Sequence, residues 1–144
     1  MQAKNRKLAG SYAVLIALFL FLCGCKHKTE DSLPSCIAGT GGNLTLVVFA
    51  YHNGISIPNY YTHPDTAFIR FGTTISPGIN SAAYSTFFVS APGDDHIHCP
   101  GLRCGDYFIY RTAWDSVAGT TRYGGYGISI ADTSGDKIIN IAVN

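Results

Sequence analysis

Residues 99–107 read Cys99-Pro100-Gly101-Leu102-Arg103-Cys104-Gly105-Asp106-Tyr107, and the architecture of the chain follows from how this segment interrupts two strand-like runs. Asp95 to Cys99 precedes it, and Asp106 to Thr112, dense in aromatic and β-branched residues, follows it. Pro-Gly and Cys-Gly pairs between the runs are turn signals, because proline offers no backbone N–H and glycine accepts conformations that other residues avoid. One strand is therefore expected to stop near Cys99 and another to start near Asp106.

The same punctuation repeats on both sides. Leu44 to Tyr51 is a β-rich run bounded by Gly41-Gly42-Asn43 and His52-Asn53-Gly54, the latter a strong hairpin signal. Thr66 to Phe71, Tyr84 to Ser90, Tyr126 to Ala131 and Lys137 to Val143 complete the series, with Gly-Gly and Ser-Gly-Asp reading as breaks. After residue 24 no window of ten or more residues carries a helical apolar stripe. Seven or so short strands at this spacing predict an all-β, immunoglobulin-like β-sandwich spanning residues 36–144.

The segment 99–107 resembles the apolar-x-x-Leu-x-x-Gly-x-Tyr motif of prealbumin-like domains, the group that includes carboxypeptidase regulatory-like domains and the B-type repeats of collagen adhesins. Cys99, Leu102, Gly105 and Tyr107 occupy the motif positions. The resemblance implies that Cys99 and Tyr107 point inward, that Leu102 plugs the bottom of the sandwich and that Gly105 takes the turn. Asn53 to Asn59 is similar to the Gly-x-x-apolar-Pro turn after the first strand of that group, with Asn59-Tyr60 standing where Gly-Ala is usual. His-Asn-Gly, Pro-Asp-Thr-Ala and Gly-Asp-Tyr also resemble segments of small Bacteroidota lipoproteins, a likeness that implies no activity.

The N-terminus supplies an address. Lys4, Arg6 and Lys7 precede an apolar run from Ala13 to Leu22, short for a transmembrane helix, which needs about 20 residues. Leu22-Cys23-Gly24-Cys25 resembles a bacterial lipobox. That resemblance implies a signal peptide over residues 1–24, lipid on Cys25 and discard of Cys23; an uncleaved anchor helix and an ordinary signal are the alternatives. Residues 25–35 are polar and read as a flexible tether, with Lys26 at the position after the lipidated cysteine. Lys26 favours the outer membrane over retention at the inner one, with the domain lipid-anchored to the cell envelope.

Processing also changes the arithmetic. Removal of residues 1–24 takes three of ten basic groups and none of nine acidic ones, turning a net charge of +1 into −2. The four remaining arginines are scattered, which argues against nucleic acid as a partner. Three cysteines are left, Cys36, Cys99 and Cys104. In an oxidising compartment one pair among them is expected to close, with the pairing open.

Asp94-Asp95-His96-Ile97-His98-Cys99 is the densest group of ligand-type side chains. Alternation along a strand sends Asp94, His96 and His98 to one face and Ile97 and Cys99 to the other. Two imidazoles at i and i+2 beside a carboxylate suit zinc or copper, with His52 or His63 as a conceivable fourth ligand. The competing reading makes both histidines ordinary outward residues. Among the many aromatic residues, Trp114, placed in the connection after the Gly105-to-Thr112 strand, with Tyr123 and Tyr126, marks the expected contact surface for a glycan or an envelope protein. No nucleophile elbow, zinc-protease motif or phosphate loop is present. The expected role is a non-enzymatic accessory or binding module without an obligatory cofactor, with metal binding as the alternative.

Overall fold

Alternation shapes the first strand, where Leu44, Leu46, Val48 and Ala50 are buried and Thr45 and Phe49 are only partly so, although Val47 between them is buried as well. The structure, a computed structural model, describes residues 36–91 and 93–144. The proposed signal, Cys25 and the 25–35 tether lie outside the described residues. Among the described residues no helix is long and apolar enough to cross a membrane.

Among the described residues, eight strands form two four-stranded sheets: β1 (Thr40–His52), β2 (Ile55–Ser56), β3 (Thr66–Phe71), β4 (Thr86–Val89), β5 (His96–Leu102), β6 (Gly105–Asp115), β7 (Thr120–Ile130) and β8 (Ser134–Ala142). In the first sheet β1 is central, antiparallel to β5 and to the short β2, and parallel to β8. The second sheet has the order β4-β3-β6-β7, antiparallel throughout. The core joins Leu46, Val48, Ile97, Cys99, Ile139 and Ile141 of the first sheet to Ala67, Ile69, Tyr107 and Ile109 of the second. This is a sandwich of two sheets, not a closed barrel.

All seven expected strands are present, several with different boundaries: β1 starts at Thr40 and β8 at Ser134, so Gly41-Gly42-Asn43 and Ser134-Gly135-Asp136, expected as turn or break, lie inside strands. β5 runs through Pro100 and Gly101 to Leu102; β1 accommodates this by bulging, so that Thr40 and Leu44 both pair with Leu102. β4 starts only at Thr86, because Ser81–Ala83 form a 3-10 turn capped by the Asn80 side chain. β6 and β7 form one long hairpin in unbroken register from Gly105↔Ile130 to Asp115↔Thr120. The Gly124-Gly125 pair that looked like a break lies inside β7. Gly124 is required there by close approach, since a Cβ would stand 2.0 Å from the Ala142 carbonyl oxygen.

The 99–107 segment forms the corner between the sheets. Cys99, Leu102 and Tyr107 are completely buried. The Tyr107 hydroxyl donates to the Arg103 carbonyl four residues upstream and accepts from the Gly39 N–H at 3.3 Å. Gly105 has φ +138°, and a Cβ there would lie 2.3 Å from the Ala38 nitrogen. The open cysteine question resolves at this corner: Cys36 and Cys104 form the disulfide, 68 residues apart in sequence, and Cys99 is the free, buried thiol.

Candidate functional site

The edge strand β5 presents the ligand-type cluster. Ile97 and Cys99 face the core, so His96 and His98 emerge on the outer face, and Asp94 just before the strand shares their side. One donor atom from each of Asp94, His96 and His98 lies within 4.8 Å of the other two. The two imidazoles meet Nε2 to Nε2 at 2.7 Å, and His96 Nδ1 donates to Asp95 Oδ1 at 2.6 Å. That hydrogen bond holds the Asp95 carboxyl below its usual range. Phe49, opposite His96 on β1, packs its ring 5.0 Å from the imidazole. His52 and His63 do not join: His52 Nδ1 contacts the Val143 carbonyl at 2.9 Å, and His63 stacks on Trp114.

Beneath this strand lies a polar network that the sequence reading did not single out. Arg111 points into the core and is fully buried. Its Nη1 donates to the Val48 carbonyl, and its Nη2 donates to Asn59 Oδ1 at 2.9 Å and to Asp65 Oδ2 at 3.3 Å. Asn59 passes the connection on, donating from Nδ2 to the His96 carbonyl at 2.9 Å. Asp65 accepts the Trp114 N–H at 2.9 Å through its other oxygen, and its own N–H donates to Ser90 Oγ. Burial pushes the Asp65 carboxyl up against the opposing pull of the Trp114 N–H and Arg111. The same burial lowers the Arg111 value while Asp65 counteracts it. A guanidinium nonetheless stays charged in a protein. Alternation carried the signal, for Arg111 has the parity of Tyr107 and Ile109. Cys99, nearby, is inert: burial pushes its thiol up to about 12.

The outer face of the second sheet carries the aromatic residues. Phe68 of β3 sits opposite Phe87 of β4 and Tyr110 of β6, with ring centroids 6.2 Å away in both cases. Tyr123 of β7 extends the row at 6.3 Å from Tyr110, and Tyr84 lies 5.8 Å from Phe68 and 5.9 Å from Tyr110. Both ends of the row are open, Phe87 being 61% exposed and Tyr123 54%. A shallow open groove bounded by Phe68, Ser81, Tyr84, Thr86 and Phe87 runs along the β4 end.

Two of the three aromatic residues singled out from sequence are placed differently from expectation. Trp114 is inside β6, not in the connection after it, and its ring is covered by His63 at 4.1 Å and 7°. Tyr123 lies in the row. Tyr126, 47% exposed as expected, is three residues further along the same unbroken strand and so lies on the other face of the sheet from Tyr123, pairing with inward Ile109. Phe68, Phe87 and Tyr110 were missed as a surface because their alignment depends on strand order, which no local pattern specifies.

The chain matches no protein family, no curated protein and no solved structure.

Proposed function

We propose that the chain is an exported lipoprotein in which a prealbumin-like sandwich acts as a non-enzymatic, carbohydrate-contacting module of the bacterial envelope. The address rests on the sequence: the lipobox-like Leu22-Cys23-Gly24-Cys25, the polar tether behind it and Lys26, which favours the outer membrane. Lipid on Cys25 is the direct contact with the membrane, and more than one acyl chain makes such attachment lasting. Mass spectrometry of the membrane fraction is expected to find the acylated mass in wild type and not in Cys25→Ser; acylation surviving in the variant refutes the assignment.

The prealbumin-like type is supported by the corner, where buried Leu102, the turn at Gly105 and inward Tyr107 occupy the motif positions. Asn59, the departure from the usual Gly-Ala, has a local reason, since its amide bridges Arg111 and the His96 carbonyl.

The observation that carries the binding role is the aromatic row Phe87-Phe68-Tyr110-Tyr123 across all four strands of one sheet. A row of rings without intervening charge offers apolar faces for sugar C–H groups, and the Tyr110 and Tyr123 hydroxyls can bond sugar hydroxyls. The test is titration of the full chain in detergent with a soluble β-glucan, a xylan and a mannan, followed by NMR of the aromatic side chains. Shifts concentrated on Phe87, Tyr110 and Tyr123 are expected, with affinity for the bound glycan falling about tenfold in Tyr123→Ala, the upper range for one aromatic contact. No binding, or shifts elsewhere, overturns the carbohydrate reading. Capture of an envelope protein on this face instead would replace the glycan with that protein.

A further inference from the structure

We propose that Asp94, His96 and His98 form a zinc site with a two-nitrogen, one-oxygen donor set on the outer face of β5, held in register by Asp95. The site is on the opposite sheet from the aromatic row and independent of it.

Three features separate this cluster from a chance His-x-His. First, the donors converge: their ligand atoms lie within 4.8 Å of one another. Second, the tautomer is set. His96 Nδ1 faces the Asp95 carboxylate at 2.6 Å and so carries hydrogen, which leaves Nε2 of the neutral ring bare and aimed at His98. A carboxylate on the far nitrogen of a ligating imidazole is the usual way in which proteins orient a zinc ligand. Third, the strand that carries the donors is anchored from below, through the Asn59 amide on the His96 carbonyl and Arg111 behind it, while Phe49 packs against the His96 ring.

Two histidines and one carboxylate are a recurrent zinc donor set, and copper(II) would take the same donors more tightly in the usual divalent order. The geometry needs only a small adjustment. Two imidazole nitrogens on a tetrahedral zinc stand about 3.3 Å apart, so the rings, now at 2.7 Å, must part by about 0.6 Å. As the rings stand, His98 Nε2–H donates to His96 Nε2. On binding, zinc takes the place of that hydrogen and His98 carries its hydrogen on Nδ1, so no net proton is released. His98 is exposed and Asp94 and His96 are half-buried, so the remaining coordination position opens to solvent.

The test is Zn²⁺ titration of the oxidised full chain in detergent, read by calorimetry and by long-range ¹H–¹⁵N spectra of the imidazoles. One equivalent is expected to bind, with the Nε2 resonances of His96 and His98 moving together. His98→Ala is expected to abolish this binding. Asp95→Asn keeps all three donors, and its affinity is expected to fall about 10-fold, the lower range for loss of an orienting carboxylate. His98 and Asp95 are both exposed, and unchanged far-UV spectra of the variants check folding. Absence of binding, equal binding by wild type and His98→Ala, or shifts confined to other histidines each overturns the proposal.

Discussion

Arg111 is the least expected residue of the core, a fully buried guanidinium on the inward face of an otherwise apolar strand. It is tolerated because Val48, Asn59 and Asp65 supply acceptors, although Nε has none. Such a pair is weak evidence for net stability, since desolvating both ions opposes their attraction, but removing one partner strands the other. Asp65→Leu and Arg111→Met are therefore each expected to cost about 3–5 kcal/mol. The double replacement Arg111→Met/Asp65→Leu should recover most of that loss. Urea unfolding of the four proteins checks it; additive losses in the double variant would show that the two side chains do not act as a pair. In positional terms, Asn59 reaches the backbone of His96, so the Arg111 variants should also loosen the start of β5.

The β6–β7 hairpin is the longest element of the second sheet, and its turn is tied by one carboxylate. Asp115 accepts from Arg122 Nε at 2.6 Å and from the backbone N–H groups of Val117 and Ala118, both at 3.0 Å. The Arg122 bond, followed by the backbone groups, holds its carboxyl below the ordinary value of 3.8. A carboxyl depressed in the folded state stabilises the fold above its unfolded value, and that contribution fades as pH falls through the folded value. The acid limb of a thermal-melt series is accordingly expected to flatten in Asp115→Asn. An unchanged limb would locate the acid sensitivity elsewhere. This hairpin also marks the limit of sequence reading. The seven strands were legible because alternation and turn residues are local signals, and so was the outward placement of His96 and His98. The true extent of β7 was not, because Gly124 looks like a break until the Ala142 carbonyl is known to lie against it. The aromatic row stayed hidden because strands distant in sequence become neighbours only through topology. Cysteine pairing stayed open for the same reason.

For the whole molecule, the Cys36–Cys104 bond matters most. Closing 68 residues restricts the unfolded chain, by about 4 kcal/mol in the chain-entropy account. Cys104→Ser should therefore lower the unfolding free energy by an amount of that order, read as a lower denaturant midpoint at unchanged slope. A midpoint within error of wild type would mean that the Ala38, Gly39 and Tyr107 contacts hold the corner unaided. The bond also sets how the fold meets mechanical load. Tension arriving through residues before Cys36 enters at a covalent crosslink and passes directly to the corner between β5 and β6, bypassing the hydrogen bonds of Gly39 to Arg103 and Tyr107. β1 is thus shielded from being peeled off residue by residue. Its parallel ladder with β8, from Asn43↔Ser134 to Tyr51↔Ala142, would have to slip as a unit under a pull between the two ends of the domain. Oxidised and fastened in this way, the domain should unfold at a higher force than after treatment with reductant in a single-molecule pulling trace.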